Sequence, residues 1–325
     1  MYKVSIIVPI YNVEKYIEKC ARSLFEQTLD SIQYIFVDDC SPDNSIAILK
    51  STIQLYPNRS QHIKLIHHSI NKGLVSARKS GVAFAKGEYI INIDSDDWIE
   101  PTMLQEMYDT AIINNADVVY CDFFFQEQDN QKLYNCPTWS TNKEESLRNY
   151  IKSPWNIIWN KMIRKKTFVN NNITTPTEIS FCEDFNLSAK ILLCASTIIH
   201  LPKPLYYYNQ MNSGSIMRSF SQKHMQDEIT AYLDVIDFYD SRNVLKLYDK
   251  ELSHRLLNAK KEYALKEKYI KKFLNIYPGC HKYIWSCPHL NIKLKITIWC
   301  LTHHLKFITI IILKLRKFLG REYKD

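Results

Sequence analysis

Glycine and proline are scarce in this chain, 6 and 11 among 325 residues. No repeat recurs at a fixed period and no low-complexity tract occurs, which excludes repeat arrays and extended disorder outside the tail. There is no C-x-x-C pair, and the nine cysteines are an odd number. A disulfide framework and a zinc site are both disfavoured, and the cysteines read as reduced thiols of a cytosolic compartment. A basic leader is also missing: Met1 to Asn12 is apolar, holds Pro9 and runs straight into Asn12 and Glu14, unlike a secretory signal. Phe307 to Leu313, broken only by Thr309, falls far below the roughly 20 apolar residues that span a bilayer. Acidic residues are in deficit, 34 against 42 Lys and Arg, for a net charge of +8. The basic residues thicken toward the C-terminus without forming stripes interleaved with exposed aromatics, so an anionic membrane surface is expected as a partner and nucleic acid is not.

What the chain does contain is an alternation of strand and helix signals. Lys3 to Ile10 is a near-continuous apolar run, the pattern of a strand buried on both faces. Val13 to Gln27 follows with helical spacing of Ile17, Cys20 and Leu24, and Gln33 to Val37 is apolar again, ending at Asp38-Asp39. A helix over Ser45 to Leu55, a strand over Ile63 to His67, a helix over Leu74 to Ala85 and a strand over Tyr89 to Ile93 continue the series. The fold class expected is α/β, a doubly wound, mostly parallel sheet flanked by helices. In such sheets ligands bind beyond the carboxyl ends of the strands. Asp38-Asp39, Asn71 to Gly73 and Asp94 to Asp97 all fall there. After about Ser221 long Lys- and Glu-rich helical segments take over, which divides the chain into a domain over residues 1–220 and a helical region over 221–325. On a helical grid His303, Lys306, Lys314, Lys317 and Arg321 line one stripe, broken only by Ile310, opposite a face of Ile, Leu and Phe, the pattern of an interfacial anchor.

The strongest chemical signal is Asp94-Ser95-Asp96-Asp97 at the end of an apolar strand. Three carboxylates within four residues repel one another unless a cation neutralises them, and hard oxygen ligands suit Mg²⁺ or Mn²⁺. Such a metal would bind a diphosphate and neutralise charge on a departing group. The bland alternative is an acidic helix start before Pro101.

Taken together, Ser5-Ile6-Ile7-Val8-Pro9-Ile10-Tyr11-Asn12, Val37-Asp38-Asp39-Cys40-Ser41, Asn71-Lys72-Gly73 with Ala77-Arg78, and Asp94-Ser95-Asp96-Asp97 resemble, in order and spacing, the family 2 glycosyltransferases of the GT-A fold. The resemblance covers roughly residues 3–215, and Cys40 stands where that family usually has glycine. It implies that Pro9 and Tyr11 line a nucleotide pocket and that Asp39 accepts a hydrogen bond from the base, the uracil N3 proton. It also implies that Asp94, with Ser95, contacts the ribose or donor sugar, and that Asp96 ligates the metal. Lys72 and Arg78 pair with phosphate or with these carboxylates. Phe181-Cys182-Glu183-Asp184-Phe185 resembles the family's acidic pair ahead of an apolar helix. Inverting transfer needs one base; Asp184 is the choice, and Glu183 is either the base or an acceptor-orienting group. Trp155 and Trp159 offer aromatic faces to an acceptor sugar or, as an i, i+4 pair, belong to the core. Tyr206-Tyr207-Tyr208 resembles the family's closing strand, and Asn209 to Arg218 reads as a polar loop able to close over the donor.

The expected activity is therefore metal-dependent, inverting transfer from a UDP-sugar to a hydroxyl of a glycan or lipid-linked glycan in bacterial surface-polysaccharide synthesis. The expected location is the inner face of the cytoplasmic membrane. Two other readings compete. A nucleotidyltransferase usually carries a glycine-rich basic loop after its first strand, where this chain has Pro9-Ile10-Tyr11-Asn12. A catalytically inactive membrane-associated scaffold would be expected to have lost an aspartate from the acidic segments, and none is missing.

Overall fold

The computed structural model describes residues 1–128, 130–154, 156–212 and 221–305. In chain order the elements are β1 (Val4–Ile10), α1 (Ile17–Phe25), β2 (Ile32–Asp38), α2 (Ser45–Gln54), α3 (Pro57–Ser60), β3 (Ile63–His67), α4 (Leu74–Phe84), β4 (Tyr89–Asn92), β5 (Trp98–Ile99), α5 (Met103–Ile113) and β6 (Val118–Glu127). They continue with β7 (Asn130–Tyr134), α6 (Lys143–Lys152), β8 (Lys161–Arg164), α7 (Lys165–Asn170), α8 (Glu183–Cys194), β9 (Ile198–Asn209), α9 (Gln222–Asp240), α10 (Leu245–Ala264), α11 (Ile270–Asn275) and α12 (Ile292–Thr302). Two compact units result, one from residues 1–147 with 155–219, the other from 148–154 with 220–325.

The first unit is built on a nine-stranded sheet in the order β3-β2-β1-β4-β8-β6-β9-β5, with β7 paired to β6. Strands β1 to β4 run parallel, as the strand-helix alternation requires. Beyond β4 the sheet turns mixed, with antiparallel pairs β4–β8, β6–β8, β6–β7 and β5–β9 and one parallel pair, β6–β9. Every residue of β1 and β2 is buried, which is why both read as unbroken apolar runs. Helix α1 covers them with Ile17, Cys20, Ala21, Leu24 and Phe25.

Two residues that would ordinarily weaken a central strand are accommodated locally. Pro9 lies past Ile7, the last β1 residue in register with β4, so it falls outside the β1–β4 pairing. Ser5 donates to Gln33 at 2.7 Å, and the Ser5 hydroxyl accepts from Gly87 N at 2.8 Å. That polar pair pins β4's entry against β1 in an otherwise apolar layer. Because β1 to β4 are parallel, their carboxyl ends fall on one rim, and the loops there interlock: Asn12 N donates to Ser41 Oγ at 2.8 Å, and Asn44 N donates to Glu14 Oε2 at 3.0 Å.

The second unit is helical. Its fully buried Lys260 donates to the carbonyls of Phe273 at 3.2 Å and Ile276, satisfying the carboxyl end of α11. Helix α12 buries Leu294, Thr297, Ile298, Cys300 and Leu301 and stops at Thr302. There His304 takes a left-handed φ of 63° and Leu305 N donates back to Cys300 O at 2.9 Å, a closing turn that ends the helix. Of the basic stripe expected from His303 onward, His303 itself lies past the helix, and Lys306, Lys314, Lys317 and Arg321 lie outside the described residues. No helix among the described residues is long and apolar enough to cross a membrane.

Candidate active site

The rim gathers around one guanidinium. Arg78, in the middle of α4 and 5% exposed, donates to Asp94 Oδ1 at 2.9 Å, to Asp184 Oδ1 at 2.5 Å and to Glu183 Oε1 at 3.4 Å. Residues 16 and 106 positions away from it in sequence are thereby held by the same side chain. Burial alone would lower the Arg78 pKa, but the three carboxylates outweigh it and raise it. The sequence left Arg78 between phosphate and carboxylate; it is an ion-pair hub for carboxylates.

The four residues of the acidic segment separate by where they face. Asp94 turns to Arg78, and burial pushes its pKa up to about 6 against the pull of that guanidinium. Asp96 accepts from Asn212 Nδ2 at 2.8 Å and is raised by burial. Ser95 is buried. Asp97 turns inward: it accepts from the Tyr206 hydroxyl at 2.6 Å and from Asn209 N at 2.8 Å. Burial and the neighbouring Asp96 and Asp94 carboxylates push it well above the usual range. Asp97 is a structural anchor of β9, which the spacing alone did not reveal.

Among the described residues no three His, Cys, Asp or Glu side chains converge as a ready-made metal site. The donor set nonetheless suits a hard divalent cation. Asp96 and Asp97 are clustered and have no cation of the described residues within ion-pair distance; Arg78 neutralises only Asp94 in that segment.

Helix α8 opens at Cys182, which takes a left-handed φ of 66°, so Glu183 and Asp184 occupy its first turn, where the helix dipole favours anions. Asp184 Oδ2 also accepts from Ile158 N at 3.2 Å, which fixes its plane. Burial and the adjacent Asp184 push the Glu183 pKa up, against the pull of Arg78.

Asp39, 3% exposed, is held by backbone and side chain together. Its Oδ1 pairs with His68 Nδ1 at 2.7 Å and accepts from Lys72 N at 2.8 Å, while Oδ2 accepts from Gly73 N at 2.7 Å. A carboxylate has about four acceptor positions, so one on Oδ2 is left for a ligand donor. His68 is itself held by Ser80 Oγ at 2.9 Å. Sequence reasoning missed His68, although it follows β3 directly, one residue beyond the Asp38–His67 pair that ends the parallel register. Lys72 contributes its backbone here, and its side chain is exposed. Pro9 is buried at the end of β1, whereas Tyr11 is 48% exposed on the rim. Cys40 adopts φ 60°, the left-handed conformation that glycine takes most easily.

Trp159 is not open to a sugar. It is 3% exposed, stacked on Tyr206 at 4.1 Å and on Tyr208 at 5.5 Å, with Phe123 edge-on at 4.8 Å. It is a core residue that supports Tyr206 and through it Asp97, so the acceptor-contact expectation for it is corrected. Trp155 lies outside the described residues, as does the loop beyond Asn212 up to Phe220.

A parallel α/β rim with clustered aspartates at strand ends, an acidic pair on a following helix and a closing strand behind them defines an α/β transferase site of the GT-A kind. Residues 5–183 match the model of Glycosyl transferase family 2, more than half of the chain, and the chain belongs to that family. It is 34% identical to the uncharacterised glycosyltransferase EpsJ of Bacillus subtilis (strain 168) over 73% of this chain and 70% of that one. It is 29% identical to the poly(ribitol-phosphate) beta-N-acetylglucosaminyltransferase TarS of Staphylococcus aureus (strain Mu50 / ATCC 700699) over 85% of this chain and 44% of TarS. The structure of S. aureus TarS residues 1–349 in complex with UDP-GlcNAc matches 99% of this chain and 93% of that chain, with a TM-score of 0.69 at 20% identity, a likeness of fold.

Proposed function

We propose that this glycosyltransferase moves a sugar from a UDP-sugar, with inversion, to a hydroxyl of a glycan acceptor in the synthesis of a bacterial surface polysaccharide. The observation that carries the reading is the Arg78 hub, because it fastens the acidic strand end and the acidic helix start to one point. Donor-side and acceptor-side carboxylates need that adjacency. The binding of UDP-GlcNAc by TarS, a relative of similar fold, supports a uridine donor.

Tyr11 offers an exposed ring at the rim, and Asp39 offers its one uncommitted acceptor position to the imide proton of uracil. Asp94, oriented by Arg78, faces the ribose or the donor sugar. Asp96 would hold a divalent Mn²⁺ or Mg²⁺ ion, which when bound neutralises diphosphate charge and so assists its departure. Asp184 accepts the proton of the attacking hydroxyl as the new C–O bond forms; the bond from the anomeric carbon to the diphosphate breaks, and its electron pair leaves with UDP. Arg78 and Ile158 N hold Asp184 in place, and Glu183 beside it orients the acceptor.

The test pairs two variants. Asp96→Ala should abolish metal-dependent UDP-sugar binding, whereas Asp184→Asn should keep donor binding and lose about 10²–10⁴-fold in UDP release with a panel of glycoside acceptors. Retained transfer in Asp184→Asn would move the base to Glu183.

A further inference from the structure

We propose that the groove bounded by α1, β5, β7 and β9 is a second site, which binds a neutral glycan on the sheet face opposite Tyr206. It goes beyond the donor-and-base reading and does not rest on it.

Side chains alternate along β9. Tyr206 goes to Asp97 and Trp159, and Tyr207 goes to the other face. There Phe124, Tyr207 and Trp98 stand in register on neighbouring strands, Phe124 opposite Tyr207 and Tyr207 opposite Trp98. Their rings form a ladder, with centroids 5.3 Å apart at 24° for the first pair and 5.4 Å apart at 13° for the second. At the end of the ladder the half-buried Trp98 is covered by Lys19 Nζ, 3.0 Å from the ring centroid, at the tip of an exposed α1 side chain. A flexible ammonium is easily displaced from such a face.

The groove has a volume of about 380 Å³ and is lined by Lys19, Trp98, Glu100, Gln126, Gln131 and Tyr207. That lies within the roughly 300–1,000 Å³ of small-molecule sites. Gln126 is 7% exposed; its Nε2 donates to the Gln128 carbonyl, and its Oε1 carries no hydrogen bond among the described residues. Gln131 is its exposed cross-strand partner, and Glu100 accepts from the Tyr207 hydroxyl. An indole face beside amide and carboxylate groups matches a pyranose, whose C–H surface stacks on the ring while its hydroxyls reach the amides. Lys19 is opposed by Glu100, so the groove carries no net charge to select an anion. The ligand class is a neutral oligosaccharide.

The experiment titrates the full chain with short neutral gluco-, galacto- and N-acetylglucosamine oligosaccharides, read by tryptophan fluorescence and saturation-transfer NMR, with UDP plus Mn²⁺ titrated in parallel. Saturable binding of at least one series without nucleotide is expected. Trp98→Ala should weaken it about ten-fold and Gln131→Ala, on an exposed strand, roughly three-fold, with the UDP response kept. Lys19→Ala uncovers the indole and should not weaken binding. Should Trp98→Ala fail to fold, Gln131→Ala decides. Absence of saturation below about 10 mM, or binding that survives both variants, overturns the proposal. Glycan binding by a chain that ignores UDP supports the groove while counting against the donor reading.

Discussion

Replacing Arg78 by methionine, which keeps the reach of the side chain and removes its charge, should destabilise the protein by an amount that grows with pH. Arg78 is 5% exposed, while the carboxylate side chains it holds keep 27% (Asp94), 14% (Glu183) and 20% (Asp184) of their exposure. Removing one partner of a buried ion pair costs about 3–5 kcal/mol, and partial exposure of the carboxylates places this case near the lower end, about 3 kcal/mol at about pH 8. Asp94 and Glu183 titrate near 6 and 8 in the folded protein, above ordinary carboxylates. Over that window the folded state holds more protons than the unfolded chain, so the stability they contribute is present at low pH and is lost as pH rises through the folded values. Arg78 pulls both values down. Without it they rise further, the window extends upward, and the variant falls further behind wild type between about pH 6 and pH 9. Near pH 5 Asp94 and Glu183 hold more of their protons in both proteins, and the deficit should shrink toward the loss of the remaining Asp184 pair and of the hydrogen bonds, about 1–2 kcal/mol. Urea unfolding at the two pH values, with m-values compared, reads the difference. A deficit equal at both, or below about 1 kcal/mol at pH 8, would refute the reasoning.

Three further outcomes are expected. Gly87→Ala should cost about 1–3 kcal/mol in urea unfolding, because the added methyl meets Ser5 N at 2.5 Å and the Val4 carbonyl carbon at 2.7 Å, which are backbone atoms that cannot step aside. His68→Ala removes the group on Asp39 Oδ1 and should weaken UDP binding about three- to ten-fold in calorimetric titration; an unchanged affinity would separate Asp39 from the base pocket. Truncation after Leu305 removes the basic stretch and leaves α12 with its buried Leu294, Ile298 and Leu301. It should release the protein from anionic liposomes while keeping UDP binding, and undiminished liposome binding would place any membrane contact elsewhere.

The parallel half of the sheet was legible because central strands buried on both faces announce themselves as apolar runs: Val4–Ile10 fills the run read as the first strand, and even the more exposed edge strand β3 coincides with Ile63 to His67. The mixed half was harder. β8 is four residues long and antiparallel to both neighbours, and β9 carries a register shift near Asp122 that no periodicity reveals. At the site, the clustering of Asp94, Asp96 and Asp97 was evident from sequence, but which of them faces inward depends on Tyr206, more than a hundred residues later. The same distance hid the Arg78 hub, since an arginine on a helix says nothing of partners on another helix. Trp159 shows the converse: an aromatic near an acidic pair suggests a sugar platform, and tertiary packing assigned it to the core. Helix α12 ends at Thr302 because His304 adopts a left-handed turn that local propensity does not forecast; the rest of the tail stripe lies outside the described residues.

The central claim is tested most directly by thermal unfolding with UDP, with and without Mn²⁺, for wild type and Asp96→Ala side by side, since a ligand of the native state raises the midpoint. The account predicts a rise with UDP and Mn²⁺ together, little or none with either alone, and none in Asp96→Ala; a wild-type midpoint indifferent to UDP plus Mn²⁺ would contradict it.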